Sequence, residues 1–145
     1  MAISQAMATS FKVDILGGDF DFSATTTQTF YIALYTNAAT LDANTTAYTT
    51  LNEVSDAGTN YTAGGNPLTI SQVATSTGTT AFLDFEDVTW PSASITALGA
   101  LIYKSGGTNP AVAVLNFGSD KTSTTGNFTV IFPTADASNA IIRIA

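Results

Sequence analysis

Short apolar runs separated by turn signals dominate the second half of the chain, and residues 79–132 hold the clearest of them: TAFLDFEDVTW, TALGALIYKSG, PAVAVLNFG and GNFTVIFP. Each is rich in β-branched or aromatic residues, which predicts strands of an antiparallel sheet. Between the second and third runs, Ser105-Gly106-Gly107-Thr108-Asn109-Pro110 offers positive φ at its glycines and lacks a ladder donor at its proline, so a hairpin loop is expected there. Residues 118–126 are polar and bounded by Gly118 and Gly126, which predicts a second, longer hairpin connection. Within the first run Leu83 and Phe85 face one way and Asp84 and Glu86 the other. Val88 and Trp90 then resume the apolar series one residue out of step, which predicts a β-bulge at Glu86-Asp87.

Upstream, TFYIALYT places Phe30, Ile32 and Leu34 on one face and Tyr31, Ala33 and Tyr35 on the other. Both faces are largely apolar, as in a central strand covered on both sides. Residues 37–66 form a long irregular connection, with Leu41, Tyr48, Leu51, Val54 and Tyr61 as its expected anchors. Pro67 opens a further strand, LTISQV, turned by Ser76-Thr77-Gly78, and AIIRI supplies a last strand after a polar turn at 133–139. At the other end Ile3, Met7, Phe11 and Ile15 recur every four residues. With Ser4 as N-cap and Gly17-Gly18 as terminator, this spacing predicts an amphipathic helix over residues 4–16. Its apolar stripe is expected to dock on the chain's own sandwich, with an arm reaching a neighbouring subunit as the alternative. Seven or eight strands and one helix define a mainly β protein: an antiparallel, jelly-roll-like β-sandwich in a single domain over residues 1–145, with residues 1–18 as an N-terminal helix or arm.

Composition narrows the chemistry. With 145 residues, 45% hydrophobic and only 10% charged, the chain has enough material for one core but a weakly charged surface. Such a surface suggests cover by partners. Four basic residues against eleven acidic ones leave a net charge of -7. Lys12, Lys104, Lys121 and Arg143 are too few and too scattered for a phosphate-binding patch, so no nucleic-acid partner is expected. No run approaches the roughly 20 apolar residues that span a bilayer, and no secretion signal is visible, so a soluble product of a cytoplasm without membrane partners is expected. The chain has no cysteine and no histidine. Disulfides and thiolate sites are thereby excluded, and the usual general base and commonest transition-metal ligand are missing. Sequons at Asn44, Asn60 and Asn127 are the chance product of a Thr-rich chain.

Few residues invite chemistry. None of the four basic residues sits in a nucleophile–base motif, so an enzyme is not expected, and no cofactor is called for. Asp84, Glu86 and Asp87 are the densest acidic group. An alternating strand would set Asp84 and Glu86 roughly 7 Å apart on one face, where calcium is conceivable but a solvated strand face is the preferred reading. Asp19 and Asp21 are read the same way. NYTAGGNPL lacks the lysine and following helix of a phosphate loop, so its glycines serve turns. Trp90 before Pro91 is either a sugar-stacking platform or, more commonly, a core residue at a strand end. Ile3, Met7 and Phe11, together with Trp90, are the candidate interaction residues.

Taken together, MAISQAMATSFK, TFYIALYTNAATL, TTAYTTLNEVS, YTAGGNPLT, the Trp90 strand, GALIY, AVAVLNFGSDKT and FPTADASNAIIRIA resemble a family of small virion proteins of tailed bacteriophages across nearly the whole chain. The resemblance implies a non-enzymatic part of a particle, made in the host cytoplasm and located in the virion. Within that implication, a capsid cement or decoration protein is expected to be a β-sandwich, a homo-oligomer, and to clamp neighbouring copies of the major capsid protein. The alternative is a tail component, a fibre tip or adaptor that meets host glycans through a Tyr- and Thr-rich loop surface.

Overall fold

The computed structural model describes residues 2–145; Met1, part of the expected arm, lies outside the described residues. The strands are β1 (Ala6–Met7), β2 (Phe30–Tyr35), β3 (Asn66–Leu68), β4 (Ile70–Thr77), β5 (Thr80–Phe85), β6 (Val88–Lys104), β7 (Ala111–Val130) and β8 (Ile142–Ile144), with one helix, α1 (Thr9–Leu16). A five-stranded antiparallel sheet, β1-β7-β6-β2-β3, packs against a three-stranded one, β4-β5-β8. The architecture is the expected antiparallel sandwich.

β2 lies between β6 and β3, and every position in it but half-buried Tyr31 is buried, as its two apolar faces require. Beside it, β6 and β7 form one long hairpin, closed by the expected 105–110 loop in which Gly106, Gly107 and Asn109 take positive φ. The four apolar runs do not make four strands, however. Residues 118–126 are no connection: most of the segment pairs with β6, through Ile95↔Ser123, Thr96↔Thr122 and Ala97↔Lys121. Hydroxyls substitute for apolar packing there, with Thr96 and Thr122 oxygens 3.0 Å apart across the ribbon, and the Thr89–Thr129 pair repeats the contact at 2.9 Å beyond the segment.

The break in alternation at Glu86-Asp87 is not a bulge but the crossing from the small sheet to the large one. LTISQV crosses in the opposite direction at Thr69, so it forms two strands rather than one. The crossings are tied together by Glu86 N–H donating to the Thr69 carbonyl at 2.8 Å. A bulge does occur at Pro91-Ser92, where β6 carries one residue more than β7 between the Trp90↔Phe128 and Ala93↔Gly126 pairs. Ser92 takes φ 49° there, and the missing donor of Pro91 falls where the ladder is already interrupted.

The N-terminus differs most from expectation. The helix begins at Thr9, not Ser4, and Ala8 at its N-cap makes no side-chain cap. Residues 2–7 are extended: Ile3 bridges Leu41, and Ala6 and Met7 pair with Val114 and Ala113. The four-residue spacing therefore marks no single helical stripe. Ile3 is buried from an extended segment and Phe11 from the helix. Gly99 provides the room, since a Cβ there would overlap the Leu115 carbonyl and come within 2.9 Å of the Ile3 side chain. Phe11, Phe20, Phe22, Phe30 and Phe85 then stack or meet edge to face at centroid distances of 4.6 to 6.4 Å, joining the helix, the DFDF segment and both sheets in one core.

Candidate functional surfaces

All five tyrosines of the chain gather beside the long connection, most of them around one carboxylate. Glu53 Oε1 accepts from Tyr61 Oη and from Gly64 N–H, and Oε2 accepts from Tyr48 Oη, each at 2.7 Å. Tyr61 Oη also accepts from Leu34 N–H of β2, Tyr103 Oη donates to the Gly64 carbonyl, and Tyr35 Oη to the Thr49 carbonyl. Tyr31 and Tyr48 stack on Tyr103. Burial, together with the nearby Glu53 charge, raises the Tyr35, Tyr48 and Tyr61 hydroxyls well above their ordinary range and pushes Tyr103 up to about 12. These hydroxyls stay protonated and act as donors. The cluster locks the 37–66 segment onto β2 and β6; of the expected anchors, Leu41, Val54 and Tyr61 are buried and Tyr48 half-buried, whereas Leu51 is 71% exposed. No sequence signal draws attention to Glu53, an ordinary loop carboxylate until the fold assembles the tyrosines around it.

The acidic group does not act as one. β5 ends at Phe85, so Asp84 and Glu86 do not share a strand face: Asp84 is turned inward with 7% exposure while Glu86 and Asp87 stay at the surface. Among the described residues no three His, Cys, Asp or Glu side chains are set to hold a metal. Asp87 caps the crossing by accepting from Phe132 N–H at 2.8 Å. Asp21, likewise, is held low by hydrogen bonds from Ser23. Asp84 is the outlier. Its Oδ1 has no protein partner, and desolvation, only partly offset by a hydrogen bond from its neighbour Phe85 and reinforced by Asp87, raises its pKa. A raised carboxyl pKa favours the protonated form in the folded state. Its stabilising effect is complete below the unfolded aspartate pKa and is lost as pH rises through the folded value. Asp84→Asn is accordingly expected to stabilise the fold at pH 7, with the advantage shrinking as pH falls toward 4; parallel thermal melts of the two proteins check it.

Of the four candidate interaction residues, Ile3, Phe11 and Trp90 are buried in the chain's own core and Met7 is half-buried. Trp90, 1% exposed, packs against Tyr61 and Phe128 and presents no stacking platform. The large apolar side chains left at the surface are ones the sequence did not single out for interaction. Leu16 is 90% exposed and Ile131 75% exposed. Leu16 borders a groove of about 470 Å³ between α1 and β8, lined by Met7, Lys12, Ile15, Leu16, Arg143 and Ile144.

The fold and these surfaces define a two-sheet antiparallel sandwich braced by a tyrosine–carboxylate lock, with isolated apolar patches on a hydroxyl-rich exterior. Comparison with protein-family models, curated proteins and solved structures finds no match to the chain.

Proposed function

We propose that the chain is a non-enzymatic structural protein of a tailed-bacteriophage particle, a capsid cement protein that stabilises the lattice of major capsid proteins. The reading starts from the resemblance read in the sequence, from MAISQAMATSFK to FPTADASNAIIRIA, to small phage virion proteins. The sandwich, the 10% charged composition and the exposed Leu16, Leu51 and Ile131 support it, because a surface of this kind gains stability when neighbours cover it. The tail alternative is weakened by the tyrosines. They turn toward Glu53 and one another, which leaves less aromatic loop surface for a glycan-binding tip to use. Quantitative mass spectrometry of purified particles separates the two readings. Hundreds of copies per particle are expected of a cement protein and a few to tens of a tail part, and a particle map with no copies on the capsid shell would sink the cement reading.

A further inference from the structure

Most sheet edges of this sandwich are blunted. β3 carries Pro67, β8 is three residues long with Arg143 at its centre, and β4 meets β5 through two shifts of register. β7 is different. β1 covers it only at Ala113 and Val114, and the Gln5 and Asn116 side chains take up the Asn116 and Gly118 amides, but beyond them no strand lies on its outer side among the described residues. The phase of the β6–β7 ladder decides which groups face outward. Phe132 N–H turns to Asp87, the residue before β6, and the Thr89 and Thr129 hydroxyls meet at 2.9 Å, the close side-chain approach of a pair that exchanges no backbone bonds. Phe128 and Val130 therefore bond β6, while Asn127, Thr129 and Ile131 direct their N–H and C=O groups away from it. Among the described residues none of these outward groups has a partner. All three side chains are exposed, and the recess beside them, about 420 Å³, is walled by β7 and Ile131 alone.

We propose that this edge pairs antiparallel with the same edge of a second copy, about a two-fold axis at Thr129, so that the two five-stranded sheets join edge to edge. The limits of the free window set that register. Four places before Thr129 the Thr125 amide turns inward to Ser94 Oγ, and four places after it Pro133 has no amide. Centring the pair on Asn127 would set Thr129 against Thr125, and centring it on Ile131 would set Thr129 against Pro133, so both registers lose bonds. Centred on Thr129, each Thr129 meets its counterpart and each Asn127 meets Ile131 of the other copy. Every outward donor then has an acceptor. The copies also meet where neither is charged, since residues 122–135 carry no charged side chain and Lys121, the cation in the recess, falls outside the paired window. For a chain of net charge -7 this is where a like copy is least repelled. The inference does not rest on the virion reading and is tested on the isolated protein.

Sedimentation velocity of the purified chain, up to about 500 µM, should show a monomer–dimer equilibrium with a Kd of about 10–100 µM, as suits a short edge contact. Thr129→Lys sets two cations opposite each other across the axis and Thr129→Glu two carboxylates, so each variant should dimerise at least about fivefold more weakly than wild type. Mixing the two brings opposite charges together and should give a 1:1 dimer. Hydrogen exchange on the wild-type chain needs no substitution: the Thr129 and Ile131 amides should slow as concentration rises, whereas that of Val130, already bonded to β6, should not change. A wild-type chain that stays monomeric, its edge left to some other strand, overturns the proposal. So does a Thr129→Lys protein that dimerises as well as wild type, a mixture of the two variants that stays monomeric, or a dimer in which Thr129 exchanges as fast as in the monomer.

Discussion

Replacing Glu53 with alanine is expected to destabilise the fold by about 3–5 kcal/mol, the loss of three charge-assisted hydrogen bonds after allowance for their coupling. The buried Tyr61 hydroxyl would keep the Leu34 amide as its donor but lose its own acceptor, and the Gly64 amide would lose its carboxylate. Chemical denaturation reads the loss directly, and for a domain of this size the melting temperature should fall on the order of 10 °C. Glu53→Gln tests whether the charge or the shape matters. Three donors converge on this side chain, so the amide nitrogen must face at least one of them, and a loss of about 2 kcal/mol is expected. Tyr48→Phe removes one bond at a half-buried position and should lower stability by about 1 kcal/mol. If Glu53→Ala melts with wild type, the cluster is not what secures the connection.

Gly65→Ala should be at least as damaging, by a different route. Gly65 takes φ 82°, and an added Cβ would overlap the Ile32 carbonyl and lie 2.8 Å from Ala33 Cα, both backbone atoms of a central strand. Backbone in the middle of a sheet cannot yield as the tip of a side chain can. The substitution would have to displace β3 from its pairing at Ile32↔Asn66, with a loss of more than about 3 kcal/mol. Gly58→Ala is the control. It has φ 71° but open space around it, so only the conformational penalty of about 1 kcal/mol is expected. Equal melting temperatures for the two variants would show that the close approach to β2 does not matter.

The parts of this fold that were legible in the sequence are those where burial writes a period. β2 and the 105–110 hairpin loop show themselves because two apolar faces, or two glycines before Asn-Pro, have one cheap solution each. Glu86-Asp87 shows the limit of that signal. A bulge and a change of sheet both shift the apolar series by one residue, and the two can be told apart only once Thr69 is seen crossing beside it. Residues 118–126 read as a loop because their pairing with β6 is held by backbone and threonine hydroxyls, with little apolar surface to mark it. The lock was hidden for another reason: its tyrosines come from positions 31 to 103 and meet only through the tertiary fold. The two surface patches owe their prominence to what is left uncovered, a property of the finished structure and not of any local run.

The extended N-terminus has a consequence for synthesis. Its sheet partner is far along the chain, with Asn116 Nδ2 bonding the Ile3 carbonyl across 113 residues. At about 5–20 residues per second a ribosome takes some seconds to deliver that partner, and during this interval Ile3 and Phe11 have no complete core to enter. Ile3 and Phe11 are thus made well before the residues that place them, and a nascent chain exposes them to chaperones, or to aggregation, until β7 has emerged.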